Sequence, residues 1–559
     1  MNTMQENAAQ RYIQANVQPP DLRGINWQAK PLPFKLYPNC EQIPLGHDTI
    51  DVETGSAQGT GSAQGTTPTT PVQNGVGREQ IGQMLVDIYG LTRHVHSVSI
   101  FHPMLKYLPK DETQATPFYT SLLRPVPSGG ALFPCELYLL VSDSASPSDE
   151  PGQHLPAGIY HYDVAHHALD ILRQGDYTSH LQNALASPAD TPPTCTLLLS
   201  CYFWKDGFKY GAFSYRLQGL DIGTVISQSE IITHHAGLST TIHYQFQDKV
   251  LNDLLGLDPL HESVYAIMEW RQGTVGIVPR PDPALTRTGD PSASDVGIGL
   301  AQGTIPTTES IACWPLPEEI HRASLIETRE AFRPLHSLAS IQPLRRQERE
   351  ALPLPTAVCL DLWEARSKRR SANGTFLPTP LTKQQLSQLL RTSMHGTTND
   401  LDGHTDLLQH TLLYCAVYRV RGVPAGIYRY QPERHELELV RAGILPSELY
   451  QALRMPNFNL FYMSVSLFPV GNYARGFQVY GDRWYRMQNM EAGIIAQRLY
   501  LAAAALKLGC RASLGFEMRE INRFLGLSDA KDEQYMGLMQ IMIAPECSAY
   551  RQYEQSLLI

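Results

Sequence analysis

The order of apolar and polar positions predicts two folding stretches that repeat the same elements. ELYLLV at 136–141 and LLYCAVYRV at 412–420 are continuous β-prone apolar runs and predict buried strands. GIYHYD at 158–163 followed by LDILR, and GIYRYQ at 426–431 followed by LELVR, each predict a hairpin. The spacing of Leu220, Val225, Ile226, Ile231 and Ile232 predicts a helix over 219–236. Its counterpart over 490–508 is rich in Ala and Leu, which are strong helix formers. Leu386, Leu389 and Leu390 behind Thr382 predict an N-capped amphipathic helix. AIMEW at 266–270 and MQIMIA at 539–544 predict a final strand in each stretch, which gives an α+β layered class.

Between these stretches the pattern disappears. Residues 55–75 contain a six-residue direct repeat and then Thr and Pro, and residues 279–309 are rich in Pro, Gly, Ser and Thr. Neither carries enough large apolar side chains to offset ordering entropy, so both read as linkers. The expected organisation is an N-terminal arm (1–54), a linker (55–75), a first domain (76–275), a partly disordered connection (276–345) and a second domain (346–553).

The two domains are related in sequence. KYGAFSYRLQGLDIG at 209–223 aligns with VYGDRWYRMQNMEAG at 479–493, so Lys209 falls on Val479, an offset of 270. Tyr210, Gly211, Tyr215, Arg216, Gln218 and Gly223 recur as Tyr480, Gly481, Tyr485, Arg486, Gln488 and Gly493, and Asp221 answers to Glu491. Asn252 and Leu255-Gly256-Leu257 recur as Asn522 and Leu525-Gly526-Leu527. AGIYHYD at 157–163 recurs as AGIYRYQ at 425–431. Repetition at a fixed offset is the mark of a duplicated unit, and here it predicts a dimer fused into one chain. The other reading is two like folds with no common site.

Composition narrows the function. A length of 559 residues exceeds what one core supports. The net charge of -9 argues against a general nucleic-acid binder. No apolar run approaches the ~18 residues of a membrane helix, and the N-terminus lacks a signal-peptide pattern. The 9 Cys are scattered with no CxxC pair, which predicts reduced thiols and a cytoplasmic protein. His166-His167 and His234-His235 are adjacent rather than spaced i, i+4, so no metal is expected.

Four segments carry candidate chemistry. RPVPSGGALFPCE at 124–136 holds a Pro-Ser-Gly-Gly turn before a strand, which lets backbone approach a flat ligand closely, although such turns also serve as plain surface turns. RSKRRS at 366–371 combines guanidinium groups with a hydroxyl, suited to a phosphate or to solvent. SLGF at 513–516 offers a Gly backbone N–H, and the first domain has Gln245 at that position. Lys209 stands before Tyr210, and a lysine desolvated at such a place can act as a base. Arg216 and Arg486, each five residues before a carboxylate, predict local ion pairs.

In order and spacing, R-x-x-P-S-G-G-A-x-x-P-x-E, A-G-I-Y-x-Y and K-Y-G-x-x-x-Y-R resemble the SagB/ThcOx-type dehydrogenases of the FMN-dependent nitroreductase-like flavoproteins. KPLPFKLYP at 30–38 resembles that family's opening stretch. The resemblance implies two tandem nitroreductase-like α+β domains forming an intramolecular pseudo-dimer, with FMN at the interface. It implies that Arg369, Arg370 and Ser371 hold the phosphate and that Gly515 and Phe516 lie against the ring. Pro127, Ser128, Gly129 and Gly130 of the other half, with Arg124 before them, would contact the ring edge. Ala131 stands where the family has Asn, and Asn373 where it often has a basic residue. The resemblance also assigns catalysis to Lys209 and Tyr210, either of which could be the base.

Each half retains a different part of the site, which implies one FMN per chain. The implied reaction is thiazoline or oxazoline oxidation to the azole on a peptide or small-molecule substrate, with O2 reoxidising the cofactor and cyclodehydratase or carrier-protein partners. The alternatives are an NAD(P)H-dependent nitro- or quinone-type reductase and a non-catalytic scaffold.

Overall fold

The computed structural model describes residues 7–15, 17–18, 25–46, 77–98, 118–143, 154–188, 193–272, 310–338, 350–372, 376–443, 446–454, 459–527, 535–547 and 554–556. The predicted linker stretches 55–75 and 279–309, and Asn373, lie outside the described residues.

Each half is an antiparallel sheet with one long helix laid across it, the α+β class expected. In the first half the apolar runs form strands Cys135–Val141, Cys195–Tyr202 and Glu262–Gln272 at the centre, with hairpin Gly158–Asp163/Ala168–Gln174 on one side and Leu238–His243 on the other. The second half repeats the order with Thr411–Val417, Val465–Asn472 and Gln540–Pro545, hairpin Gly426–Gln431/Glu436–Ala442 and Leu508–Ser513. Even a hairpin irregularity recurs, after Ile159 in one half and after Ile427 in the other. Central strands are buried on both faces, so they read as unbroken apolar runs rather than alternating ones.

The long helices are Ser214–His235 and Arg483–Ala505. Both begin earlier than the apolar spacing predicted. Their first turns carry Tyr215, Arg216, Tyr485 and Arg486, which are buried against the opposite half. A helix buried all round loses the one-sided stripe on which periodicity depends.

These two helices are the interface. A Cβ at Gly223 would lie 2.0 Å from the Met490 carbonyl oxygen, and one at Gly493 would lie 2.1 Å from that of Leu220. The backbones therefore touch at the crossing, and only glycine fits. The recurrence of this Gly pair thus marks the pseudo-two-fold axis. Tyr215 and Tyr485 stack across it with centroids 6.0 Å apart, and Gln497 Nε2 donates to Gln228 Oε1 at 2.7 Å. Helix Ala8–Gln14 of the arm lies over the axis: Tyr12 packs edge-on against both tyrosines, and Ala9 N–H donates to Asp482 at 2.6 Å.

Part of the predicted connection is ordered. Residues 310–338 include helix Pro315–Ser324, started by Pro at its first turn. Trp314 stacks on Trp204, and a Cβ at Gly207 would lie 2.4 Å from its ring. The connection thereby presses on the short helix Trp204–Tyr210, which carries the Lys-Tyr pair.

Candidate functional site

The pseudo-symmetry creates two junctions between the halves, and their contents differ. At the first, the Pro-Ser-Gly-Gly turn rests on the long helix of its own half. Ser128 Oγ donates to Asp221 at 2.6 Å and accepts from Phe133 N–H at 2.9 Å. Gly129 sits on Leu217, and Gly130 adopts φ +66. A Cβ at Gly130 would come within 2.6 Å of the Tyr210 hydroxyl and 2.8 Å of Lys209 Nζ. The turn and the Lys-Tyr pair, far apart in sequence, are therefore in contact. Ala131 takes the left-handed φ +55, a conformation that Asn tolerates better than Ala.

The second half supplies the facing wall. Arg369 is buried, lies over the Tyr500 ring at 5.5 Å and donates to the Arg124 carbonyl at 3.3 Å. Ser371 Oγ donates to the Tyr500 hydroxyl at 3.3 Å. The arginines around this pair point elsewhere, Arg366 to Asp87 at 3.0 Å and Arg370 to Glu546 at 3.0 Å. The Arg124 guanidinium turns inward between Tyr89 and Phe133, so the junction receives its carbonyl. Phe516 is buried under Arg216 of the first half, with 5.3 Å between guanidinium carbon and ring centre. Gly515 N–H donates to Ser513 Oγ at 3.3 Å.

Arg216 does not pair with Asp221 as expected. It crosses the interface to the carbonyls of Gly537 and Leu538, at 3.1 and 2.6 Å. Arg486 likewise ignores Glu491 and binds Asp248 of the first half at 2.7 Å. The i, i+5 spacing puts Arg and carboxylate on different helix faces, so each reaches a different neighbour.

Charges at the first junction are unusual. Burial pulls Lys209 below its ordinary value, Asp206 opposes this and Lys30 adds to it. Burial also raises Asp221 and Asp206 above the carboxylate range. Asp206 was not singled out in the sequence, and Asp221 only as the expected partner of Arg216, although Asp206 differs between the halves, where offset 270 places Gly476.

The second junction is filled by protein. Where the first half has its glycine turn, the second has Asp402–Gln409, part of a segment that leaves its own half. Strands Thr398–Asn399 and Gly403–His404 extend the sheet of the first half, with Asn399 opposite Ile242. Asp400 accepts the N–H groups of Tyr244 and Gln245 at 2.9 and 2.8 Å, at the positions equivalent to Leu514 and Gly515. Arg333 of the connection closes on Gln245 and on the Val479 carbonyl. Trp484, equivalent to Ser214, occupies more of the space and stacks on Tyr480. The remaining cavity measures about 20 Å³, room for about one water.

An α+β dimer written into one chain, with an Arg-Ser segment of one half touching the Arg124 carbonyl of the other, is the architecture of a dimeric oxidoreductase fold. The chain belongs to the nitroreductase family. The Nitroreductase family profile matches residues 367–542. A protein described as a nitroreductase, MJ1384 of Methanocaldococcus jannaschii, is 32% identical over 188 residues, which cover 90% of it and 32% of this chain. The trifolitoxin-processing protein TfxB of Rhizobium leguminosarum bv. trifolii is 30% identical over 147 residues, 38% of its length and 25% of this chain. The crystal structure of a protein described as a nitroreductase from Anabaena variabilis matches 97% of this chain and 100% of its own, at TM-score 0.71 and 22% identity. The two-half arrangement is therefore a shared fold. No helix among the described residues is long and apolar enough to cross a membrane.

Proteins of this family typically bind flavin, and the residues of the first junction fit one. Arg369 and Ser371 bring donors suited to a phosphate. Gly130 lacks the Cβ that would collide with the Tyr210 hydroxyl and Lys209 Nζ, so the turn backbone packs directly against the Lys-Tyr pair. At the mirror position the protein places a carboxylate on the equivalent backbone N–H groups. The second junction does not fit, because Asp400 and Trp484 stand in the space.

Proposed function

We propose that this chain is an FMN-dependent dehydrogenase with one working site, at the first junction, and that it oxidises a peptide-derived thiazoline or oxazoline to the aromatic azole. Two observations support this: Gly130 packs against Lys209 and Tyr210 in one half, and Arg369 and Phe516 of the other half touch Arg124 and Arg216 of the first. In this reading Arg369 and Ser371 hold the phosphate, Gly515 and Phe516 line one side of the ring, and the turn 127–130 lines its edge. The flavin supplies the two-electron acceptor for the substrate. Lys209 removes the substrate proton. Tyr210 recurs as Tyr480 in the filled junction, whereas the lysine does not, and burial favours its uncharged form. Tyr210 orients the substrate beside it. The naming of TfxB as a toxin-processing protein supports a peptide-derived substrate, delivered with cyclodehydratase or carrier-protein partners.

The similarity to MJ1384 favours a second reading, an NAD(P)H-dependent reductase. One measurement separates them. The purified protein should show an oxidised-flavin spectrum with about one FMN per chain, bleached under anaerobic conditions by an azoline peptide and not by NAD(P)H. Bleaching by NAD(P)H alone selects the reductase. Absence of flavin removes both readings and leaves a scaffold.

A further inference from the structure

Asp206 makes no side-chain hydrogen bond among the described residues. It lies three residues before Lys209 on helix Trp204–Tyr210, so the two side chains share a face. It is fully buried. The adjacent cation, Lys205, is committed to Glu136 and to the carbonyls of Pro33 and Phe133 at 3.3 and 3.5 Å. The other neighbour is Asp221, a second buried carboxyl, which holds the Ser128 hydroxyl and the Gly129 N–H.

The repeat provides an internal control. Offset 270 places Gly476 at Asp206 and Val479 at Lys209, but keeps an acid, Glu491, at Asp221. The acid and the lysine are present together at the first junction and absent together at the second. A purely structural acid has no reason to follow the lysine.

We propose that Asp206 and Asp221 form a one-proton carboxyl pair behind Lys209, with the proton on Asp206 and the negative charge on Asp221. This rests on the reading of Lys209 as the base. A carboxylate buried without hydrogen bonds is costly, and two neighbouring buried carboxyls do not both ionise. Asp221 has two donors and takes the charge; Asp206 has none and takes the proton. The groups facing Asp206 are Lys205 and Lys209 on its own helix, Asp221 on the long helix and Cys201 at the end of its strand. Lys30 of the arm faces Lys209. An uncharged Asp206 is not a counter-ion that would hold Lys209 protonated. When Lys209 takes the substrate proton, the new ammonium is balanced by Asp221, and the pair keeps its single proton throughout. Asp206 is thus a positioning residue acting through charge.

The test follows acetylation of Lys209 by acetic anhydride at near-neutral pH, read by peptide mass spectrometry on the purified full-length protein. Asp221→Asn lets Asp206 ionise against Lys209 and should slow acetylation at least about tenfold, one pKa unit. Asp206→Asn, which mimics the protonated acid, should leave the rate within about twofold. Tenfold faster acetylation in Asp206→Asn, or no slowing in Asp221→Asn, overturns the proposal. If Asp221→Asn does not fold, Ser128→Ala removes one donor from Asp221 and should slow Lys209 in the same direction; an unchanged rate overturns the pair. Infrared spectra should show a carboxylic-acid C=O stretch that Asp206→Asn removes, and absence of that band in the native protein is equally fatal. None of these readouts needs turnover. If Lys209→Ala still turns over, the base assignment fails while the acetylation result still decides the pair.

Discussion

The two junctions share strand order, a long helix and the Tyr-Gly-x-x-x-Tyr-Arg motif, yet among the described residues the first carries the glycine turn and the Lys-Tyr pair, whereas the second is filled by Asp400 and Trp484. The difference comes from few positions. Lys209, Asp206, Ser214 and Gly515 at the first junction correspond to Val479, Gly476, Trp484 and Gln245 at the second. The recurring arginines show the same divergence. Arg216 serves backbone carbonyls beside Phe516, whereas Arg486, with Arg483, clamps Asp248. Met518 stands at the position equivalent to Asp248. The second junction is a structural joint of buried ion pairs and of two short strands added to the other half's sheet. The recurring motif therefore marks the interface, and in the proposed function the non-recurring residues carry the chemistry.

This contrast can be broken experimentally. The largest expected effect is on turnover: Lys209→Ala should lower it by at least about 10²-fold, the usual worth of a general base, with the flavin spectrum retained. Val479→Lys should change nothing measurable. Equal effects from both would mean that the junctions are functionally equivalent.

The joint is tested next. Asp248→Ala strands two buried guanidinium groups and should cost about 3–5 kcal/mol in denaturant unfolding. Burial raises the Asp248 carboxyl, but Arg483 and Arg486 outweigh it and hold the group below its ordinary value of 3.8. Its contribution is therefore fully present above pH 3.8 and is lost as pH falls through the lower folded value. Acid unfolding of Asp248→Asn should lose that step; an unaltered acid limb would show that the clamp is not ionic.

Asp400→Ala removes the acceptor for two buried N–H groups and should cost about 1–3 kcal/mol, without a second flavin binding. Two flavins in this variant would mean that Asp400 alone closes the junction. The smallest effect is local to the first junction. Ala131→Gly relieves a left-handed alanine and should raise stability by up to about 1 kcal/mol, read as a small rise in the denaturant midpoint.

Much of the fold is determined by the sequence alone. Apolar runs, hairpin motifs and the Thr382 cap specify local elements, because backbone geometry and side-chain burial impose periods of two and near four. The internal offset specifies a two-fold relation, and Gly223 with Gly493 turns out to be its axis. The separate motifs of the first junction were also legible, since each keeps its residue types within a few positions. The long-helix starts were not, because residues buried by the other half break the one-sided pattern. The crossing of segment 398–404 to the other half's sheet, the closing role of Arg333 and the partners of Arg216 and Arg486 were likewise invisible. They depend on which backbone donors and carbonyls a distant segment meets, and sequence spacing carries no information about that. Asp206 shows the limit most clearly. A lone aspartate in a helix is ordinary in the sequence, and only the packed structure, by burying it without partners beside Lys209 and Asp221, makes its charge state a question about function.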